Sequence, residues 1–236
     1  MRSGNSPSGS RRQQLGKRDR AIVADVVRYR LTTNELIHQR YLPEASINAV
    51  TKITSRLTAA GWLQRHTLVG SQLYFVPSRT ACRHFALPIS RCRPLGLQTL
   101  ATSLSIAQYC QTLSQGYRLV DTGDLELHWP WIPPKLRTFP YAMFPGGGAG
   151  QLRPIRVDLG GTPEHVATKC AHDIKLRQQV GGFRALLGER RLVYVVLTST
   201  DTKKDLIKSA LQKRDWPDNM RFEVVEIPDL CWLLSL

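Results

Sequence analysis

Residues 191–199, RLVYVVLTS, are the most strongly apolar run in the chain, and they restrict its fold more than any other segment. A run of that length without polar alternation suits a strand covered on both faces, as in a parallel sheet flanked by helices. The neighbouring segments supply those helices. LRPIRVDL at 152–159 reads as a strand, and Thr162-Pro163-Glu164 then opens a helix, with Thr162 as N-cap and Pro163 at the first helical position. That helix is expected to run to about Val180 and to stop at Gly181-Gly182. Thr200 and Asp201 cap another helix, to about Arg214, and RFEVVEI at 221–227 is the next strand. The tail DLCWLLSL is expected to pack on the sheet. Strand-helix-strand-helix-strand implies right-handed crossovers and an α/β sheet for residues 98–236. Ahead of it, residues 98–116 form a helix closed by Gly116, with Leu100, Leu104, Ala107 and Cys110 on its inner face. Residues 117–131 read as strand, turn at Thr122-Gly123-Asp124, and strand, and 139–144 as a short strand. The glycines of 145–150 are a flexible loop rather than a phosphate cradle, because no Lys-Ser/Thr and no helix follow them.

The N-terminal third carries a different signal. Residues 44–63, EASINAVTKITSRLTAAGWL, read as one amphipathic helix ending at Gly61. Ile47, Val50, Thr54 and Leu57 recur at helical spacing and Ile53 widens that seam. Asn48, Lys52 and Arg56 point the other way, flanked by Thr51 and Ser55, with Ser46 at the start. An amide, two cations and several hydroxyls without an acid suit the edges and phosphates of a DNA major groove. Residues 17–31 make a preceding helix with Ile22, Val26 and Tyr29 on one face. Thr32 opens a T-T-N-E capping box for a short helix ending at Leu42-Pro43. After Gly61, residues 62–68 and 72–77 are rich in β-formers around a turn at Val69-Gly70-Ser71, and Arg65, His66 and Gln72 are expected to project from that hairpin. Helix, helix, helix and hairpin is the order of a winged helix-turn-helix. The same fold also serves protein interaction.

Charge supports the first use. The chain has 33 Lys+Arg against 18 Asp+Glu, a formal net charge of +15. Residues 1–85 hold 14 cations and 4 acids, net +10. An excess of that size implies a polyanion, nucleic acid first. Arg18 and Arg20 add cations just before and within the first helix. Residues 1–16, rich in Ser, Gly and Arg, read as a disordered basic arm, and residues 89–97 as a linker between domains 17–88 and 98–236. The five cysteines, Cys82, Cys92, Cys110, Cys170 and Cys231, form no C-x-x-C pair, which fits free thiols in a reducing cytoplasm. MRSGNSPSGSRRQQ lacks the apolar core of a secretory signal, and no apolar run approaches the ~18–20 residues a membrane span needs. Cys82, His84 and Cys92 lack a fourth ligand and the paired spacing of a metal site. His165 and His172 stand two turns apart, too far to share an ion, with Cys170 off their line.

A winged helix at 17–78, the joint IRVDLGGTPEHVATKCAHDI and the apolar strand RLVYVVL together resemble the plasmid replication-relaxation family. The resemblance implies an α/β (α+β overall) protein: an N-terminal winged helix followed by a mixed-sheet, restriction-endonuclease-like α/β domain. It implies duplex DNA as partner and a role in plasmid or mobile-element replication or mobilisation, as regulator or accessory factor. A second copy of the chain, or a protein partner docking through 98–236, is the further expectation. The family's second domain usually carries an acid-x-Asp where this chain has Arg156-Val157-Asp158, and a Pro-Asp where it has Pro140-Tyr141. The first acid is thus a cation and one Asp is missing, which implies a degenerate nuclease with no cofactor. The alternative is a Mg²⁺-dependent nuclease using Asp158, Glu164 and Lys169.

Overall fold

A computed structural model describes residues 15–113, 116–144 and 150–235. Most of the expected basic arm and the loop 145–149 lie outside the described residues. The chain is mixed α/β and divides into two compact units. The first holds residues up to Val27 with Thr33–Arg93; the second holds Arg28–Thr32 with Pro94–Leu236.

In the first unit, α1 (Lys17–Tyr29) places Ile22, Val23 and Val26 in the core. A two-residue strand, β1 (Thr32–Thr33), leads directly into α2 (Asn34–Tyr41). The cap of α2 is Thr33, whose hydroxyl accepts from the Leu36 amide at 3.3 Å. The cap thus lies one residue later than the sequence suggests, and the third helical position falls on Leu36 rather than Glu35, so the cap is the Thr33 hydroxyl alone and not a reciprocal box. The major amphipathic helix is α3 (Ile47–Ala59), shorter at both ends than the sequence suggests. It closes by a Schellman motif: Gly61, at φ +75°, donates to Thr58, and Trp62 donates to Leu57. The left-handed backbone there is the conformation glycine adopts without penalty. Val50, Ile53, Thr54 and Leu57 are buried, but Ile47 is 43% exposed, because it sits on the first turn beyond the reach of the core. The antiparallel hairpin β2 (Leu63–Thr67) and β3 (Leu73–Pro77) pairs Leu63 with Pro77 and Thr67 with Leu73. Together with β1 it makes a three-stranded sheet in the order β1-β3-β2. The unit continues through α4 (Arg79–His84) and a 3₁₀ turn, Ile89–Cys92, where the sequence suggests a linker.

In the second unit, α5 (Leu97–Gln108) runs into a π-helical turn, Tyr109–Leu113. A five-stranded sheet follows in the order β4-β5-β6-β7-β8. Its members are β4 (Arg118–Leu119), β5 (Tyr141–Met143), β6 (Leu152–Val157), β7 (Val193–Thr198) and β8 (Arg221–Glu226). The first three are antiparallel neighbours and the last three parallel. All six residues of β7 are buried, as an unalternated apolar strand requires. The crossover helices are α8 (Pro163–Gln178), capped by Thr162, and α10 (Asp201–Gln212), capped by Thr200; α11 (Pro228–Leu233) ends the chain.

Two segments depart from expectation. Residues 122–128 are a helix, α6 (Thr122–His128), not a turn and strand. Asp121 and Asp124 form a reciprocal capping box, and that local pairing overrides the alternating pattern. A short α7 (Pro134–Arg137) follows. Helix α8 ends at Gln178, just ahead of the glycines at 181–182 as expected, but those glycines also begin a further helix, α9 (Gly181–Gly188). A Cβ at Gly182 would lie 2.3 Å from the Trp131 ring, so only glycine lets the helix approach that close. Phe183, Leu186 and Leu187 then join the core cluster that holds Trp129, Ile132 and Tyr141.

Candidate nucleic-acid interface

The outer face of α3 keeps most of its expected composition. Ser46, Asn48, Thr51, Lys52, Ser55 and Arg56 are all exposed. Their side chains are not equally free. Thr54, buried, donates to Asn34 Oδ1 at 3.0 Å, and Asn34 Nδ2 donates to Thr51 Oγ1 at 3.3 Å. Thr51 in turn donates to the Ile47 carbonyl at 3.1 Å. Its hydroxyl thus belongs to the seam between α2 and α3. Arg56 is held end-on by Asp19, with Nη1 and Nη2 2.7 and 3.0 Å from the two carboxylate oxygens. Asp19 is buried, and a buried carboxylate requires such a partner. The sequence assigns Arg56 to bases or phosphates; in the structure it ties α3 to α1.

Asp25 is likewise neutralised, by Arg40 at 2.8 Å. The other acids of this unit, Glu35 and Glu44, are exposed. Arg18, Arg20, Lys52 and Arg65 are exposed and form no ion pair among the described residues. Gln72 is exposed at the hairpin turn, where its backbone closes on Leu68 and Val69. His66 does not project as expected. It is half-buried, its ring centroid lies 5.3 Å from that of Tyr74, its cross-strand partner, and Nε2 is buried without a hydrogen-bond partner. Burial lowers its pKa, opposed by a hydrogen bond with the Cys92 backbone.

The second unit treats its charges differently. Asp158, at the end of β6, is 3% exposed. Its carboxylate accepts from the Gly160 and Gly161 amides at 3.1 Å each and from the Thr198 hydroxyl at 3.1 Å, and pairs with Lys203 Nζ at 2.6 Å. Those four partners use the oxygens a cation would need. Glu164 and Lys169 lie on the exposed side of α8. Among the described residues, no three His, Cys, Asp or Glu side chains come together as a metal site. The residues present therefore do not fit Mg²⁺: Asp158 is committed within the fold, and Glu164 and Lys169 stand exposed on α8.

Arg156 is turned toward α8, where Asp173 accepts from it and also from the Tyr194 hydroxyl. Arg177, 2% exposed, donates to the Asp173 carbonyl at 3.0 Å and to the Tyr141 hydroxyl at 3.2 Å, and its guanidinium carbon sits 4.8 Å from the Phe139 ring centroid. Cys170, beside this network, has its thiol pushed up to about 12 by burial, with Arg156 opposing. His165 and His172 are exposed, and His84 packs edge-on against Trp62 and Phe85.

Lys203, Asp173 and Arg177 are only weakly signalled in the sequence. Two signals exist. Lys203 stands in the first turn of α10, where the helix dipole disfavours a cation, so a nearby carboxylate is expected. Asp173 and Arg177 are four apart on one face of α8, but nothing local says that this face is buried.

No family model, no curated protein and no solved structure matches this chain. No helix among the described residues is long and apolar enough to cross a membrane.

Proposed function

We propose that the first unit is a winged helix-turn-helix that binds duplex DNA, with α3 in the major groove and the β2–β3 hairpin as its wing. The observation that carries this reading is the allocation of charge. Buried Asp19 and half-buried Asp25 are neutralised by Arg56 and Arg40, while Lys52, Arg18, Arg20 and Arg65 all face water. Asn48 and Lys52, one turn apart on α3, are the base- and phosphate-reading pair, since amides suit adenine and cations suit guanine edges and phosphates. Ser46 and Ser55 extend that face. Arg18, Arg20, Arg65 and Gln72 contact the backbone and set orientation rather than sequence. Arg56 is a positioning residue.

The second unit, on this reading, is a restriction-endonuclease-like scaffold that has lost its metal seat and serves dimerisation or partner docking. Arg156 and Lys203 stand where a nuclease would gather carboxylates. The chain as a whole then acts as a regulator or accessory factor of plasmid or mobile-element replication or mobilisation, in keeping with its resemblance to the replication-relaxation family.

Fluorescence anisotropy with labelled duplexes tests the DNA assignment. Asn48→Ala with Lys52→Ala is expected to weaken binding more than about tenfold, since loss of one good base pairing alone is worth about 1–3 kcal/mol. Unaltered affinity in a folded double variant would refute the assignment. The nuclease reading is tested by incubating the protein with plasmid and Mg²⁺ or Mn²⁺: the expected result is intact plasmid, and cleavage abolished by Asp158→Ala would overturn the degenerate-scaffold reading.

A further inference from the structure

Residues 89–97 look like a linker in sequence, yet the chain as far as Arg93 is built into the first unit. The Ser78 amide donates to the Trp62 carbonyl at 3.1 Å, and the Ser78 hydroxyl bonds to the Gly61 carbonyl and caps α4 through the Ala81 amide. Gly61 and Trp62 are the residues that close α3. The start of α4 is therefore fastened to the C-terminal end of the helix assigned to the groove. Ala81, Cys82 and Cys92 are buried, the Leu87 amide donates to Cys82 at 2.8 Å, and His84 packs on Trp62. The segment is a fixed part of the fold.

Every charged side chain it presents outward is basic. Arg79, Arg83 and Arg93 are exposed and form no ion pair among the described residues. The chain contains no Asp or Glu between Glu44 and Asp121, so neighbours in sequence provide no counter-charge. Arg79 and Arg83 are four apart on one short helix. Like charges at that spacing face each other and disfavour the helix. A polyanion relieves that repulsion, and arginine forks match phosphate oxygens in paired hydrogen bonds.

We infer that Arg79, Arg83 and Arg93 form a second phosphate-contacting strip, anchored to the end of α3 and engaging the backbone of the same duplex. This rests on the DNA reading of α3 and enlarges its footprint beyond the helix and hairpin. The strip carries no base-reading amide, so it adds affinity without sequence preference.

The test is a salt titration of the full chain against a fluorescein-labelled duplex of random sequence, comparing wild type, Lys52→Ala, Arg79→Ala/Arg83→Ala and Arg79→Lys/Arg83→Lys. Each phosphate contact contributes about −0.9 to the slope of log affinity against log salt. The double alanine variant is expected to flatten that slope by about two, equivalent to about a tenfold smaller affinity loss over a fourfold rise in salt. The lysine variant, which keeps both charges, is expected to retain the wild-type slope. Circular dichroism melts report whether the fold is intact. An unchanged slope in the folded alanine variant, with Lys52→Ala still weakening binding, overturns this inference alone and leaves the strip to an acidic protein or to solvent. Absence of duplex binding by the wild type overturns both readings.

Discussion

The outer face of α3 and the region where β6 runs into α8 are both rich in cations, yet they handle them in opposite ways. On α3, Lys52 is exposed without a carboxylate, and the cations at the start of α1 and on the hairpin are equally open. Around the end of β6, Lys203, Arg156 and Arg177 are drawn into partly or fully buried clusters around Asp158 and Asp173. An exposed cation costs little to maintain and remains available to a partner. A buried one must be satisfied within the fold and has no capacity left for a ligand. The contrast teaches that the basic excess is not spread over the chain as a solubilising coat. Part of it is structural and part is presented, and residue type alone does not say which.

The sharpest way to break that contrast is to remove a carboxylate from the structural set. Asp173→Asn takes from Arg156 its carboxylate partner, and loss of one partner in a buried pair costs about 3–5 kcal/mol. Urea denaturation followed by circular dichroism is expected to show that loss, whereas Lys52→Ala changes stability by no more than about 0.5 kcal/mol, as exposed substitutions do. A near-neutral Asp173→Asn would mean that the network is not holding the second unit together.

Lys203→Ala is expected to cost less, about 1–3 kcal/mol. Asp158 keeps two amides and the Thr198 hydroxyl after the ammonium is gone. This variant also sharpens the functional side of the comparison. Asp158 becomes free of its cation, and if plasmid cleavage with Mg²⁺ then appeared, the end of β6 would be a masked metal seat rather than a structural one. The expected outcome is lower stability with no cleavage.

Arg56 stands between the two classes, with 48% of its side chain exposed and its fork committed to Asp19. Arg56→Ala strands a buried carboxylate, with an expected loss of about 1–2 kcal/mol and a fall in duplex affinity smaller than that of Lys52→Ala. Asp19→Asn separates the two roles. It removes the anchor but keeps the arginine, which is then free to reach a phosphate. A steeper salt dependence for Asp19→Asn than for wild type would show that Asp19 normally withholds that charge.

These differences explain which parts were legible in sequence. The strand 191–199, the crossover helices and the hairpin were readable because apolar periodicity, caps and turn residues are local properties. Helix α6 was misread because the Asp121–Asp124 capping box lies inside an alternating pattern that looks like strand. Helix α9 was misread because glycine signals termination, and here it is required by a tryptophan that sequence does not place beside it. The composition of the α3 face was legible from helical spacing. Its division into free and committed side chains was not, because Asn34 and Asp19, which commit Thr51 and Arg56, sit on other helices. The same holds for Asp158, whose partner Lys203 lies 45 residues away on α10.

The smallest expected effect concerns His66, assigned to the exposed hairpin surface by sequence and half-buried against Tyr74 in the structure. Burial lowers its folded-state pKa, so the folded protein resists taking up a proton that the unfolded chain accepts as pH falls through about 6.5. In that window the unfolded state binds more protons, and stability therefore rises with pH. His66 contributes no penalty at pH well above that value, and a growing one as pH drops below it, until the folded ring itself protonates. Thermal melts of the wild type and His66→Gln between about pH 7.5 and 5.5 isolate this component, because the other histidines titrate in both. The wild type is expected to lose more stability on acidification than the variant. Parallel curves would return His66 to the open, phosphate-facing surface of the hairpin, where a proton costs nothing and favours duplex binding.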